Sequence, residues 1–151
     1  MQEVSIARLY EAFLKCNQRI CTDTRKLDKG SMFFCLKGAN FNANEFAIKA
    51  LEGGCAYVVV DEEKFAINEN IFFVTDVLKA LQQLANHHRK QLQIKVLAIT
   101  GSNGKTTNKE LINAVLSKSF KTLATVGNLN NHIGVPLLPV IASTFICNCF
   151  L

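Results

Sequence analysis

The sequence predicts an α/β fold in two parts: a small domain over residues 1–90, then the opening strand, loop and helix of a second over residues 94–151. Three observations carry this reading. Short continuous apolar runs alternate with helical stripes from residue 5 to residue 89; the alternation restarts at Lys95 after a polar junction; and a glycine-rich turn at residues 100–107 stands between an apolar run and an amphipathic one.

Taken in order, Ser5 can cap a helix whose Ile6, Leu9, Tyr10, Phe13 and Leu14 form one stripe. A polar turn follows at residues 17–19. Residues 32–36 (Met-Phe-Phe-Cys-Leu) are too continuously apolar for a two-faced surface strand and predict a buried one, ended by Gly38. A helix over residues 43–52 should turn Phe46, Ala47, Ala50 and Leu51 inward and stop at Gly53 and Gly54. Strands are expected at residues 57–60 and 71–74. The next helix, residues 75–89, carries Val77, Leu78, Leu81, Leu84 and Ala85 on one side. His87 and His88 point about 100° apart on a helix, so they read as surface histidines rather than a metal pair. Beyond the junction at residues 90–94 come a strand at 96–100, a helix at 105–118 with Leu111, Ile112, Val115 and Leu116 inward, and a short strand at 122–125.

Composition narrows the function classes. Hydrophobic residues make up 49% and charged ones 19%, which describes a folding chain rather than a disordered one. The net charge of +5 is not a basic face: residues 1–93 are nearly neutral, and no Arg/Lys run is interleaved with aromatics. Nucleic acid is therefore not the expected partner; an anionic small molecule is. The six cysteines follow no basic-then-apolar leader, so they predict a reduced, cytoplasmic setting, with Cys35 and Cys55 as small buried hydrophobes. The apolar stretch over residues 135–151 is broken by Pro139 and Asn148, which argues against membrane insertion.

The sharpest motif is Thr-Gly-Ser-Asn-Gly-Lys-Thr-Thr at residues 100–107. Glycines let backbone N–H groups turn toward a phosphate, and the helix behind adds its unpaired donors and positive dipole end. Gly101, Ser102, Asn103, Gly104, Lys105, Thr106 and Thr107 are thus the candidate mononucleotide site. Lys105 would reach the terminal phosphates as the catalytic cation, and the Thr106 hydroxyl would join a Mg²⁺ shell. Ile99 stands where the long form of the motif needs glycine, and the spacing of a dinucleotide fingerprint is missing. No Asp or Glu follows Glu110, so an ATP-hydrolysing centre is expected to be incomplete on this chain. The uncharged block at residues 127–136, with Asn128, Asn130 and Asn131, suits either recognition of a polar or phosphorylated ligand or a turn-rich surface loop.

Five ordered stretches resemble the Mur ligases, in particular the branch that adds D-alanyl-D-alanine: residues 22–26 (TDTRK), 30–38 (GSMFFCLKG), 50–60 (ALEGGCAYVVV), 100–110 (TGSNGKTTNKE) and 127–137 (GNLNNHIGVPL). The resemblance implies a Mur-ligase-type first domain that binds a UDP-muramoyl substrate and a central domain that binds ATP. It implies that Thr24, Arg25, Lys37, Gly38 and the loop at residues 41–46 line the uridine-diphosphate side. It places Asn128, Asn130 and Asn131 near the substrate's phosphate and muramyl end. The implied reaction activates the carboxylate of UDP-N-acetylmuramoyl tripeptide as an acyl phosphate with ATP and Mg²⁺. D-alanyl-D-alanine then attacks, giving an amide, ADP and phosphate. Asn42-Ala43-Asn44 departs from the family's Asp-Gly-His, Asn108 from a third threonine, and residues 138–151 from a strand ending in a metal-binding glutamate. The chain therefore reads as a truncated ligase, expected to be inactive alone and to self-associate non-specifically through uncovered apolar surface. The alternative is a non-catalytic nucleotide or UDP-sugar binding module.

Overall fold

In a computed structural model the chain divides into two units, Met1–His87 and His88–Leu151, and residues 3–38, 40–92, 95–100, 102–124 and 145–149 are described. Helix α1 (Ile6–Lys15) opens the first unit, with the Ser5 hydroxyl accepting from the Arg8 N–H at 3.3 Å. Its buried side is Leu9, Ala12, Phe13 and the following Cys16; Leu14, expected inward, is 44% exposed because the buried stripe is turned toward Ala12 and Cys16.

The sheet of this unit is wholly parallel, in the order β1 (Ile20–Cys21), β2 (Met32–Phe34), β5 (Tyr57–Val60), β6 (Ile71–Phe73). Between β2 and β5 the chain makes a short antiparallel hairpin, β3 (Lys37–Gly38) with β4 (Phe41–Asn42), then a 3₁₀ turn (Ala43–Phe46) running into α2 (Ala47–Glu52). The single helix expected over residues 43–52 is thus a tight turn followed by a shorter α-helix. The Asn42 side chain starts that turn by accepting from the Asn44 N–H, an arrangement asparagine adopts readily.

Alternate strand residues point to opposite faces. Phe33, Cys35, Val58, Val60 and Ile71 pack in one cluster with Ala47 and Ala50 of α2. The intervening Met32, Phe34 and Val59 are equally buried. The elements left to cover that second face are α1 and α3 (Val77–Gln91), which supply Leu9, Phe13, Val77, Leu81 and Leu84 to the core. The Tyr10 and His87 rings meet edge-on at 4.6 Å between the two helices. Coverage on both faces explains the unbroken apolar runs. His88, expected at the surface, is buried: it continues the Val77–Leu81–Leu84 stripe at helical spacing.

The second unit is another parallel sheet, β7 (Val96–Ile99), β9 (Phe145–Cys149), β8 (Thr122–Ala124), with α4 (Lys105–Leu116) against it. Strand β9 was not anticipated; it takes the middle place, with Ile99 in register with Cys149. The expected inward face of α4 also needs correction. Leu111 and Val115 are 60% and 70% exposed, Ile112 and Leu116 are partly buried, and Lys109 is fully buried. Lys105, Lys109, Ile112 and Leu116 share one helical side, so polar residues set the phase of α4 near its start. No helix among the described residues is long and apolar enough to cross a membrane.

Candidate functional site

In the second unit, β7 ends at Ile99 and α4 begins at Lys105, so the glycine-rich motif is a strand-to-helix turn. Gly104 holds the N-cap position with φ +76°, the left-handed conformation that a side chain disfavours. A Cβ there would meet nothing nearer than the Asn108 amide nitrogen at 3.7 Å, so glycine is needed for its backbone angle rather than for space. Gly104, having no side chain, caps no N–H of α4. The first-turn N–H groups of a helix have no acceptor within it, which makes such an end a favourable place for an anion. Ser102, Asn103, Gly104, Thr106 and Thr107 are exposed and Lys105 is half-buried, an arrangement open to a phosphate. Gly101 lies outside the described residues. The Lys109 ammonium, one turn further along the Lys105 side, pairs with Glu110 Oε1 at 2.9 Å. Its burial was not foreseen; its spacing of four from Lys105 was the available signal.

In the first unit the nominated residues gather at the carboxyl ends of the parallel strands, where open α/β sheets bind ligands. Thr24 and Arg25 follow β1; Lys37 and Gly38 follow β2; Asp61 and Glu62 follow β5. Arg25 folds onto Asp23, its Nε donating to Oδ1 and its Nη2 to Oδ2 at 2.9 Å each, and these bonds hold the Asp23 carboxyl down at about 2. Lys37 Nζ sits 2.8 Å from Asp61 Oδ1 and 3.1 Å from Glu62 Oε1, and the Asp61 bond raises the Lys37 pKa. Glu62 is held at about 2 by Lys64, Lys37 and the Asn42 amide.

Asn44 ties this corner together. Fully buried, it donates from Nδ2 to Asp61 Oδ1 and Asn42 Oδ1 at 2.8 Å each and accepts the Asp61 N–H at 3.1 Å. A cleft of about 520 Å³ opens beside it, lined by Lys37, Gly38, Asn40, Phe41, Asn42, Glu45 and Phe46. Thr24 and Arg25 do not line that cleft. Asn44 lies in the loop at residues 41–46 that the sequence put on this side, whereas Asp61 and Glu62 were missed by sequence reasoning; the Asp-Glu pair straight after a buried β-run was the available signal. A larger cleft of about 620 Å³, between the start of α1 and β6, contains none of the nominated residues. Asn128, Asn130 and Asn131 lie outside the described residues. Among the described residues no group of three or more His, Cys, Asp or Glu side chains is placed to hold a metal.

Comparison with known proteins gives this geometry a context. Residues 99–142 match the family model for the Mur ligase middle domain. The chain is 45% identical over 120 residues to the UDP-N-acetylmuramoyl-tripeptide--D-alanyl-D-alanine ligase of Bacillus subtilis, and 44% identical over 118 residues to that of Escherichia coli. Each alignment covers 78% of this chain and 26% of the relative, so the chain spans about a quarter of the length of these curated relatives. Among solved structures, MurF from Acinetobacter baumannii superposes with a TM-score of 0.78 at 36% identity, over 88% of this chain and 30% of that one. MurF ligase from Thermotoga maritima in complex with ADP superposes at 0.79 with 25% identity, over 88% and 32%.

Proposed function

From a chain that belongs to the Mur ligase family, we propose the substrate-side portion of an ATP-dependent ligase that joins D-alanyl-D-alanine to UDP-N-acetylmuramoyl tripeptide in peptidoglycan precursor synthesis. The observation that carries the proposal is 44–45% identity to relatives of that one name over 78% of the chain. In this reading residues 1–90 bind the UDP-muramoyl substrate and residues 94–151 begin the ATP-binding domain. Four buried cysteines without disulfides, Cys16, Cys21, Cys35 and Cys55, support a reducing, cytoplasmic setting.

Each residue has a stated task. The backbone around Gly101, Ser102, Asn103 and Gly104 would cradle the phosphates of ATP, with Lys105 offsetting charge as the γ-phosphoryl group passes to the tripeptide carboxylate. Thr107 would border the same phosphates. The left-handed glycine at the start of α4 fits such an anion. Mg²⁺ would supply electrostatic stabilisation of the transferring phosphoryl group; Thr106 is the protein ligand offered here, and nucleotide oxygens and water commonly complete such a shell. Thr24, Arg25, Lys37 and Gly38 would face the uridine-diphosphate side from the carboxyl ends of β1 and β2. Asn128, Asn130 and Asn131 would read the muramyl end with amides that donate and accept.

Calorimetric titration of the chain with UDP-N-acetylmuramoyl tripeptide and with ADP, followed by a coupled assay for D-alanyl-D-alanine-dependent ADP release, tests this. Binding of both ligands is the expected result, and Lys105→Ala should weaken ADP alone. Ligation is not expected of this portion alone; binding of only one of the two ligands would favour a non-catalytic UDP-sugar or nucleotide binding module, and failure to bind either ligand would remove the proposal.

A further inference from the structure

The loop between β1 and β2 is tied to the body of the first unit by buried side chains that carry a hydrogen-bond donor. Its first part, Asp23-Thr24-Arg25-Lys26, is a turn closed by the Lys26 N–H on the Asp23 carbonyl at 3.1 Å. The Asp23 carboxylate also accepts the Arg25 N–H at 2.9 Å, in addition to the guanidinium bonds described above. Thr24 and Arg25 are thus the central residues of the turn, Arg25 exposed and Thr24 partly so. Cys21, the last residue of β1, belongs to the core cluster and is 7% exposed. Its Sγ lies 3.2 Å from the Lys26 carbonyl oxygen and 3.5 Å from that of Asp23, the two ends of the turn. A carbonyl oxygen has two lone pairs, so Asp23 can accept from Lys26 and from the thiol together. The far end of the loop is fastened in the same manner. Ser31 Oγ donates to the Asp28 carbonyl at 2.6 Å, and Cys55 Sγ lies 3.8 Å from that oxygen.

We propose that Cys21 is a positioning residue for substrate binding: its thiol, shared between the two carbonyls, holds the ends of the turn together and so fixes how Thr24 and Arg25 are presented. The proposal rests on the reading above that these two residues meet the UDP-muramoyl substrate, and it adds the residue that sets their geometry. A thiol is a weak donor, so its value lies in where it points rather than in its strength. Without it the turn keeps its own backbone bond and the bonds to the Asp23 carboxylate, neither of which engages the Lys26 carbonyl. Order missing from the free chain must then be supplied on binding, which lowers affinity although Cys21 does not touch the ligand. The donor, and not the sulfur, is what the turn requires. A hydroxyl at position 21 should serve in its place, and an apolar group of the same shape should not.

The test compares Cys21→Thr with Cys21→Val, two side chains of one shape of which only the first has a donor. Each variant is titrated calorimetrically with UDP-N-acetylmuramoyl tripeptide and with ADP. Cys21→Val should weaken the UDP-muramoyl ligand by about threefold to tenfold, the range for one lost hydrogen bond, and leave ADP unchanged. Cys21→Thr should stay within about twofold of the wild-type chain for both ligands. Cys21→Ser against Cys21→Ala repeats the comparison without a branched side chain, should branching disturb β1. Cys16→Ala, at a fully buried thiol away from the loop, should lower the thermal midpoint and leave both affinities as they are, which separates lost core packing from a loosened turn. Equal affinity for the UDP-muramoyl ligand in the donor and donor-free variants, or a loss in Cys21→Val that ADP shares, would overturn the proposal while the substrate reading stands. A wild-type chain that does not bind the UDP-muramoyl ligand would remove both.

Discussion

Asn44 is the residue on which the corner that follows β2 and β5 in the first unit depends. Its amide makes three hydrogen bonds in a site with no solvent exposure, and truncation would strand the Asp61 N–H and weaken the hold on its carboxylate. Asn44→Ala should cost about 2–3 kcal/mol in urea unfolding, and Asn44→Asp should be no better, since it places a second carboxylate against Asp61. The acid side of the stability profile follows from Asp23 and Glu62. Both carboxyls sit at about 2 in the folded chain, below the ordinary value of about 4. Their contribution is therefore complete above the unfolded value and is lost as pH falls toward 2; both are partly open to solvent, so salt should flatten the effect. Urea midpoints measured from pH 6 to pH 2 should fall chiefly below pH 4.5, and a profile flat across that range would contradict the assignment. The thiols behave oppositely. Burial pushes Cys35 up to about 12 and Cys16 to about 11, so neither offers thiolate at neutral pH. Alkylation at pH 8, mapped by mass spectrometry, should leave both unmodified until the chain is unfolded.

At the scale of elements, two helices end by the same device with different residues. After α2, the Cys55 N–H reaches the Ala50 carbonyl and the Gly54 N–H the Leu51 carbonyl, with Gly54 left-handed at φ +97°. After α1, the Gln18 N–H reaches Phe13 and the Asn17 N–H reaches Leu14, but the left-handed positions are Asn17 at φ 52° and Gln18 at φ 61°. Glutamine has no local hydrogen bond that offsets this conformation as asparagine has. Gln18→Gly should therefore raise stability by about 0.5–1 kcal/mol, read as a higher thermal midpoint with unchanged circular dichroism. The same comparison shows what the sequence discloses. Gly53-Gly54 announced the end of α2, Ser5 the start of α1, and the runs at residues 57–60 and 71–74 the strands β5 and β6, because each rests on local chemistry. The 3₁₀ turn at Ala43–Phe46 and the two-residue strands β1, β3 and β4 did not announce themselves. They are fixed by partners elsewhere in the chain, such as Ile20 with Met32 and Lys37 with Asn42.

For the molecule as a whole, legibility divided along the same physical line. The strand–turn–helix around Gly104 was readable because a glycine-rich turn stands directly between an apolar run and an amphipathic one. Strand β9 was not, since an apolar run with no alternation fits a buried strand or a buried helix equally well. Nor was the phase of α4, which Lys109 takes in place of Leu111. That phase has a consequence for behaviour in solution. Leu111 and Val115, four residues apart, present adjacent apolar side chains on one outward strip of α4, and Phe120 beyond the helix is 58% exposed. Burying such a strip removes apolar area from water at roughly 25 cal/mol per Å², enough for association at high concentration though not for a specific tight dimer. The chain should accordingly run as a monomer at low micromolar concentration in light scattering and gain apparent mass as concentration rises. Leu111→Gln with Val115→Gln should hold it monomeric without lowering the thermal midpoint, because neither side chain is part of a core. Association that persists in the double variant, or a midpoint that drops by several degrees, would mean that the strip is not what the chain uses to meet its own copies.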